Sequence, residues 1–442
     1  MPRTASQERA TASYGRAAAL LSVALAATGL LTFGFFSAAS HVLDGPAYKR
    51  IVLLWSVMFI VISTIYRPIE QLLSRTIAAR RATGLHKHPL RVPAAIQGGF
   101  AVAFLAVALA ARGPIQDNLF DGSTTLFWAL VAGTTTYGAA FFARGWLAGH
   151  RRFRTLSALV FVDAAARLAF PLIVAAGTGG EGLVAVGVAA APVLSLAVVP
   201  LAGRRGAASP TLAPAADSAW EGPGAEGAEE ALSDVTLTRG AGFAVAVLGI
   251  MAAEQALLNV PVLTVDALAA NGALAGFVFN VLLIARAPLQ LFQAVQISLL
   301  PHLAGLEATE GREAFRHAVV TTGVAIAAFS GAVTLGLLAV GPDVMNGLFG
   351  GSFDYARGGL ALMGLGMGFH LLAGTLNQAA LARDRADAAA TCWLIVGIAF
   401  IGWLLISAVD DQLLRVEAGY CGATALLTVL LALTRRPRPR AR

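Results

Sequence analysis

Apolar residues gather along the chain into twelve long runs, and short polar segments separate them. Most runs hold about twenty residues or more, which is the length of helix that crosses a hydrocarbon core of roughly 30 Å. Ten-residue alternating segments, typical of membrane β-strands, are not found in the sequence. The pattern predicts an all-α polytopic membrane protein with twelve transmembrane helices. The predicted spans are 16–40, 50–73, 92–112, 123–148, 155–177, 182–202, 240–264, 272–300, 317–341, 357–382, 388–408 and 416–434.

Residues 203–238 interrupt this pattern between the sixth and seventh runs. The segment is rich in Ala, Gly, Pro and Glu and offers little that could form a core, so we predict a disordered cytoplasmic linker. It separates an N-terminal six-helix bundle, 1–202, from a C-terminal six-helix bundle with a basic tail, 239–442. An even number of spans in each half predicts a parallel repeat, related by a pseudo-twofold along the membrane normal.

The placement of charge gives the orientation. Charged residues make up only 13% of the chain, against about 25% in soluble domains. The net charge of +7 comes mainly from basic residues in alternate loops and in the two tails. This distribution is a topology signal rather than a nucleic-acid surface, and it predicts that both termini are cytoplasmic.

The sequence offers no motif of an enzyme. It contains no P-loop, so we do not expect it to hydrolyse ATP. Cys392 and Cys421 lie in apolar runs without metal or redox spacing. The external loops are too short and bare for the catalytic groups of a sugar-transferring enzyme. We therefore expect a protein that is not an enzyme and needs no cofactor or metal.

A short motif recurs at corresponding places in the two halves. The second run reads IYRPIEQLL around Arg67, and the eighth reads IARAPLQL around Arg286. A guanidinium at membrane depth costs several kcal/mol unless it meets a counter-ion, water or a ligand. The two arginines therefore predict a paired site for an anionic substrate, with Gln71 and Gln290 one turn further along.

The two arginines are not equivalent. Glu70 lies one turn from Arg67, so that pair could instead snorkel together toward the inner headgroups. Arg286 lies near mid-membrane and has no acidic residue close by on its own helix. We interpret Arg67 as a gate residue and Arg286 as the core of the site.

Other ionisable residues within the runs allow two interpretations each. Asp163 and Arg167 are four residues apart and can form a neutral structural pair, or Arg167 can use its remaining donors on a ligand. Arg144 ends the fourth span, where either anchoring or contact with arriving substrate would explain it.

Glu254 in the seventh span is the most isolated acid. A carboxylate in apolar surroundings can exchange a proton near neutral pH, so Glu254 is the first candidate for ion coupling, ahead of Glu70 and Asp163. The structural alternative is that Arg286 on the adjacent span neutralises it. His370 in the tenth span is more typical of a core histidine than of a proton relay.

Segments 55–84, 276–318 and 348–393, which include both arginine motifs, resemble the polysaccharide biosynthesis, O-antigen flippase-like family of the multidrug/oligosaccharidyl-lipid/polysaccharide (MOP) exporter superfamily. The resemblance implies two six-helix bundles around a central cationic cavity. It also implies movement of polyprenyl-diphosphate-linked saccharides between the leaflets of a bacterial cytoplasmic membrane, by alternating access. Guanidinium groups bind phosphate oxygens in a fork, so the cavity role is carried onto Arg67 and Arg286 first, then Arg167 and Arg144.

The expected partners are a lipid-linked saccharide, membrane lipids, and the glycosyltransferases or polymerase of the same pathway, with no nucleic acid. Three alternatives stay open. An ion-coupled multidrug exporter of the same superfamily would favour an acidic or aromatic cavity. A membrane enzyme of polysaccharide assembly would need larger external loops, and a membrane scaffold would bind a partner through 203–238.

Overall fold

The computed structural model confirms the all-α architecture: the part of the chain that it describes folds into long helices and holds no strand. It describes residues 5–82, 90–150, 152–200, 237–268, 274–284, 311–350, 355–381, 385–406 and 409–434, with residues 286, 288, 289, 292 and 383. Almost the whole predicted linker, the basic tail and Gln290 lie outside these residues.

The described membrane helices follow the predicted spans. They are α1 (Ala5–Val42), α2 (Gly45–Ala82), α3 (Arg91–Ala110), α4 (Thr124–Gly149), α5 (Phe153–Ala175), α6 (Glu181–Leu196), α7 (Leu237–Leu268), α8 (Leu274–Ile284), α9 (Gly311–Phe349), α10 (Arg357–Leu381), α11 (Ala386–Leu405) and α12 (Gln412–Thr434). Among the described residues, eleven are long and apolar enough to cross a membrane. The described part of the predicted eighth span is the shorter apolar helix α8.

Corresponding helix pairs pack together in each half. α1 packs on α5 as α7 packs on α11, and α4 packs on α6 as α10 packs on α12. The fifth and sixth helices of each half are also neighbours. These are the pairs that a pseudo-twofold relating α1–α6 to α7–α12 produces, as the even number of spans predicts.

α2 and α4 approach each other closely because glycines line their contact. A Cβ added at Gly145 would lie 2.7 Å from the carbonyl oxygen of Glu70, and one at Gly149 would lie 2.7 Å from the Cβ of Ile77. No side chain fits at these two points. The spacing holds α2, with Arg67 and Glu70, at a fixed distance from α4, with Arg144.

The two halves meet mainly along α2 and α7, with a smaller contact between α1 and α9. One continuous apolar core runs through both halves. Aromatic pairs join them, with ring centroids 4.4 Å apart for Phe36 and Phe279 and 5.3 Å apart for Phe33 and Phe349. The helices that carry the predicted site residues therefore lie at this contact between the halves or one helix away from it.

Candidate functional site

Asp163 lies at the centre of a charged cluster inside the N-terminal half. Its Oδ2 atom is 3.3 Å from Nη2 of Arg167, one turn along α5, and 3.3 Å from Nη2 of Arg144 on α4. Tyr137 donates its hydroxyl hydrogen to Asp163 Oδ1 at 3.2 Å and accepts from Arg167 Nη1 at 3.0 Å. The predicted Asp163–Arg167 pair thus forms, but it shares its carboxylate with a second guanidinium.

This N-terminal cluster carries an excess of positive charge. The side chains of Asp163 and Arg167 are 3% and 4% exposed, so water does little to screen them. Arg167 lies 5.0 Å from the ring centroid of Trp55 on α2, and Arg144 lies 4.7 Å from that of Phe141. One carboxylate between two guanidiniums leaves roughly one positive charge within the cluster, which the faces of these aromatic rings help to stabilise.

α2 carries the next pair of charges. Glu70 feels the attraction of both Arg144 and Arg67, so it extends the N-terminal cluster toward the contact between the halves. Gln71, which the helical spacing places near these residues, is exposed on the helix surface instead. Among the described residues Gln71 makes no contact with the arginines, and its role in substrate binding stays a prediction.

Arg286 is held by neutral groups. Its Nη2 atom donates to the carbonyl of Leu258 and, at 2.7 Å, to Oδ1 of Asn259, both on α7. The guanidinium also lies 4.7 Å from the ring centroid of Phe279. Among the described residues Arg286 makes no salt bridge, and its buried Nε has no hydrogen-bond partner.

The expectation that Arg286 would pair with Glu254 is wrong. Pro261 lies inside α7 and has no amide hydrogen, so the carbonyl of Leu257, four residues before it, lacks its helical donor. Arg286 donates to the next carbonyl, that of Leu258, one helical turn beyond Glu254. The cation whose charge acts on Glu254 is Arg67, across the α2–α7 contact.

Glu254 belongs to a second, C-terminal cluster. Its Oε1 lies 3.9 Å from Nε2 of His370 on α10, and His370 Nδ1 is 2.9 Å from the hydroxyl of Tyr420 on α12. Trp393 on α11 packs beside the imidazole, with ring centroids 5.6 Å apart. His370 is almost fully buried, as expected of a core histidine, yet its Nε2 faces the one carboxylate of the cluster.

Arg67 acts at a distance on both clusters, and among the described residues it forms no salt bridge with Glu70 or Glu254. It acts electrostatically on Glu70 in its own half and on Glu254 in the other. Tyr420 in turn feels the charges of both Glu254 and Arg286. The described residues therefore bring Arg67, Arg144, Arg167 and Arg286 into one polar zone with Glu70, Asp163 and Glu254, whose formal charges sum to +1 (four minus three).

A further set of polar contacts joins the halves at the end where α1 and α7 finish and α2 begins, which is the predicted external side. Lys49 of α2 lies 3.1 Å from Asp266 of α7, and Tyr48 donates to Asn280 of α8 at 2.5 Å. Ser37 of α1 donates to the carbonyl of Leu348 at the end of α9, at 2.5 Å. We refer to these three contacts as the external seal.

Sequence reasoning missed the external seal. The signal was present, because Lys49 is one of only five basic residues in the predicted external loops. Arg50 beside it pairs within its own half, 2.6 Å from Glu181 and 3.1 Å from Asp121. The adjacent basic residues Lys49 and Arg50, together with acidic residues at other span ends on the same side, already indicated ion pairs there.

In the part of the chain that the structure describes, no group of three or more His, Cys, Asp or Glu side chains is placed to hold a metal ion. Cys392 and Cys421 are free thiols.

The sequence matches no protein-family model and no curated protein. Several solved transporters share the fold. A mutant of the Vibrio cholerae MATE transporter VcmN superposes with a TM-score of 0.66 at 14% identity, covering 96% of each chain. The eukaryotic MATE transporter AtDTX14 gives 0.64 at 14% identity, covering 97% of this chain and 96% of that one.

An inward-facing multidrug resistance MATE family transporter of the MOP superfamily gives a TM-score of 0.62 at 13% identity, covering 92% of this chain and 93% of that one. These likenesses extend over nearly the whole chain, across both six-helix halves. The chain therefore has the fold of the MATE transporters of the MOP superfamily.

Proposed function

We propose that the protein is a flippase that moves a polyprenyl-diphosphate-linked oligosaccharide from the inner to the outer leaflet of the cytoplasmic membrane. The observation that carries this proposal is Arg286, a guanidinium at membrane depth that no described carboxylate neutralises. An unpaired charge in that position is usually functional. Its present acceptors are one carbonyl and one amide oxygen, and a phosphate oxygen is a stronger acceptor than either.

The other arginines extend the same chemistry. Arg67 stands at the contact between the halves, while Arg144 and Arg167 share one carboxylate deeper in the N-terminal half. A diphosphate presents several oxygens, so it can engage Arg286 and Arg67 from opposite halves at once. Such bridging draws the halves together around the substrate.

The transport cycle is alternating access, with the external seal as one gate. Lys49–Asp266 and Tyr48–Asn280 cross between the halves on the predicted external side, so the substrate cannot leave there until these contacts break. In this proposal the described arrangement is the externally closed state of the cycle, and substrate loads into it from the inner leaflet.

Glu254 supplies the coupling. It lies between Arg67 and His370, and a proton on its carboxylate would release the attraction that Arg67 exerts across the α2–α7 contact. Proton binding from outside and proton release inside would then drive the two states in turn. Glu70 is attracted at a distance by both Arg144 and Arg67, and Asp163 contacts two guanidiniums directly, so each is a weaker candidate than Glu254.

The second candidate function is an ion-coupled multidrug exporter. Two observations favour it: the MATE fold, and the placement of Glu254 beside His370, against which Trp393 and Tyr420 pack, since a carboxylate near aromatic rings suits an organic cation. The distribution of charge favours the anionic substrate, because basic residues outnumber acidic ones in the polar zone.

Binding experiments on the purified protein separate the two functions. Native mass spectrometry of protein extracted in mild detergent should detect a co-purifying polyprenyl-diphosphate lipid, and Arg286→Ala should remove it. The same preparation should bind a fluorescent organic cation weakly and independently of Arg286. Tight cation binding that Glu254→Gln abolishes, together with no bound polyprenyl lipid, would establish the exporter instead.

A further inference from the structure

A cleft of about 410 Å³ lies between α2, α3 and α4, apart from the charged clusters. The described residues that line it carry no charged side chain. Small residues form its walls, namely Gly98 and Ala101 on α3 and Gly138 and Ala139 on α4. A cavity near 400 Å³ is within the range of small-molecule sites, and it greatly exceeds the space of a single water.

Two polar atoms in this cleft are left without partners. Tyr66 is fully buried, and its hydroxyl has no hydrogen-bond partner among the described residues. Gln97 donates from Nε2 to the carbonyl of Gly138 at 2.6 Å, which leaves its buried Oε1 without a partner in the same set of residues. A buried polar atom without a partner destabilises the folded state, so each of these atoms favours an occupant that can bond to it.

The two side chains converge on one point. A Cβ added at Gly138 would lie 3.1 Å from Cζ of Tyr66 and 3.4 Å from Nε2 of Gln97. The Oε1 atom of Gln97 can only accept, whereas the hydroxyl of Tyr66 can donate or accept. A hydroxyl group on a ligand satisfies both at once, by donating to Gln97 and accepting from Tyr66.

The cleft opens toward the bilayer. Ala94, Gly98 and Ala139 on its rim are exposed, and α3 continues outward with exposed apolar residues such as Val102. On the predicted topology, the end of α2 and the start of α3 lie on the cytoplasmic side, so the cleft opens at the depth of the inner leaflet. An occupant therefore arrives from the membrane with a hydrocarbon body.

We propose that this cleft binds one bilayer lipid whose polar group carries a hydroxyl. The hydroxyl bonds to Tyr66 and Gln97, and one hydrocarbon chain lies between α3 and α4 along the glycine and alanine walls. The site goes beyond the proposed transport function and does not depend on the identity of the cargo.

Photolabelling in proteoliposomes tests where the hydrocarbon chain of the bound lipid lies. The probe is a phosphatidylglycerol analogue with a diazirine in one acyl chain, and labelled peptides are located by mass spectrometry. A Cβ at Gly98 or at Gly99 meets nothing within 4 Å, yet only Gly98 lines the cleft. Gly98→Leu should therefore remove the label from α3 and α4, while the matched control Gly99→Leu keeps it. Equal labelling of the two variants would overturn the proposal.

Competition with unlabelled lipid tests the hydroxyl. Phosphatidylglycerol should displace the probe about fivefold better than phosphatidylcholine, whose headgroup has no hydroxyl, since one net hydrogen bond is worth roughly 1 kcal/mol. The double variant Tyr66→Phe with Gln97→Leu should remove this preference and keep the chain label. A preference that survives the double variant would overturn the assignment of the hydroxyl site. Should Gly98→Leu fail to fold, Ala101→Leu fills the same cleft.

Discussion

The guanidinium of Arg286, two residues beyond the end of α8, donates to the carbonyl of Leu258 and to the amide oxygen of Asn259, in the turn that precedes Pro261 of α7. Arg286 therefore places its charge at membrane depth beside two neutral acceptors, next to the helix break at Pro261. A phosphate can take those donors without first breaking an ion pair.

Substitutions of Asn259 test whether substrate binding requires an Arg286 that forms no salt bridge. Asn259→Asp places a carboxylate where the amide oxygen now lies, 2.7 Å from Nη2 of Arg286. A charge-assisted bond is worth about 1.5–3 kcal/mol, so we expect affinity for an anionic polyprenyl diphosphate to fall about tenfold or more. Isothermal titration or native mass spectrometry measures this. Asn259→Ala, which removes the acceptor without adding charge, is the control and should bind at least as tightly as the parent. Equal affinities of Asn259→Asp and Asn259→Ala for the polyprenyl diphosphate would contradict the claim that binding depends on an Arg286 without a salt bridge.

The external seal predicts a charge-reversal phenotype. Asp266→Lys opposes Lys49 and should shift the population toward externally open states, because the attractive pair becomes repulsive at 3.1 Å. Adding Lys49→Asp to the same chain should restore closure. Electron–electron distance measurements between spin labels at the external ends of α2 and α7 report the change. Asp117→Lys, on the exposed external turn after α3, is the control and should leave the distances unchanged.

Asp163 should prove essential for stability. Asp163→Asn leaves Arg144 and Arg167 facing each other without the carboxylate that both now contact at 3.3 Å. Breaking a buried pair in this way costs about 3–5 kcal/mol, so the thermal midpoint in detergent should fall by several degrees or more. The double variant Asp163→Asn with Arg167→Gln removes one of the two stranded charges and should recover part of the loss. An unchanged midpoint for Asp163→Asn would show that water or lipid already screens these charges.

Gly145 should tolerate no side chain. Gly145→Ala puts a Cβ 2.7 Å from the carbonyl oxygen of Glu70, so α2 and α4 must separate. Overpacking of this kind costs about 1–3 kcal/mol. Gly331→Ala in α9, where a Cβ meets nothing within 4 Å, is the matched control and should be neutral or slightly stabilising, because alanine favours helix. Thermal unfolding of the two variants side by side gives the comparison.

Span positions could be predicted from the sequence because they depend on local length and hydropathy. The Asp163–Arg167 pair also followed from spacing, since residues four apart meet on one helix. Contacts between helices could not be predicted in this way. Arg144 reaches Asp163 from a different helix, and Arg286 finds the turn before Pro261 rather than Glu254. Both depend on which helices are neighbours and how they are rotated, and hydropathy does not encode that.

The external seal was missed for the same reason. Lys49 and Asp266 are more than two hundred residues apart, and only the packing of α2 on α7 brings them together. The roles in transport of all the predicted site residues stay predictions, namely those of Arg67, Arg144, Arg167, Arg286, Gln71, Gln290, Glu70, Asp163 and Glu254. Their positions relate them to one polar zone only in part, since Gln71 is exposed and Gln290 lies outside the described residues.

The most direct test of the central claim is the flipping rate of a labelled polyprenyl-diphosphate-linked saccharide in proteoliposomes. Arg286→Ala should lower the rate at least about tenfold, given that a lost charge-assisted bond is worth about 1.5–3 kcal/mol, and should leave insertion and folding intact. Arg286→Lys should retain intermediate activity, since an ammonium keeps the charge and loses the fork. Arg112→Ala, at the outer end of α3, should match the parent. Full activity of Arg286→Ala would contradict the account.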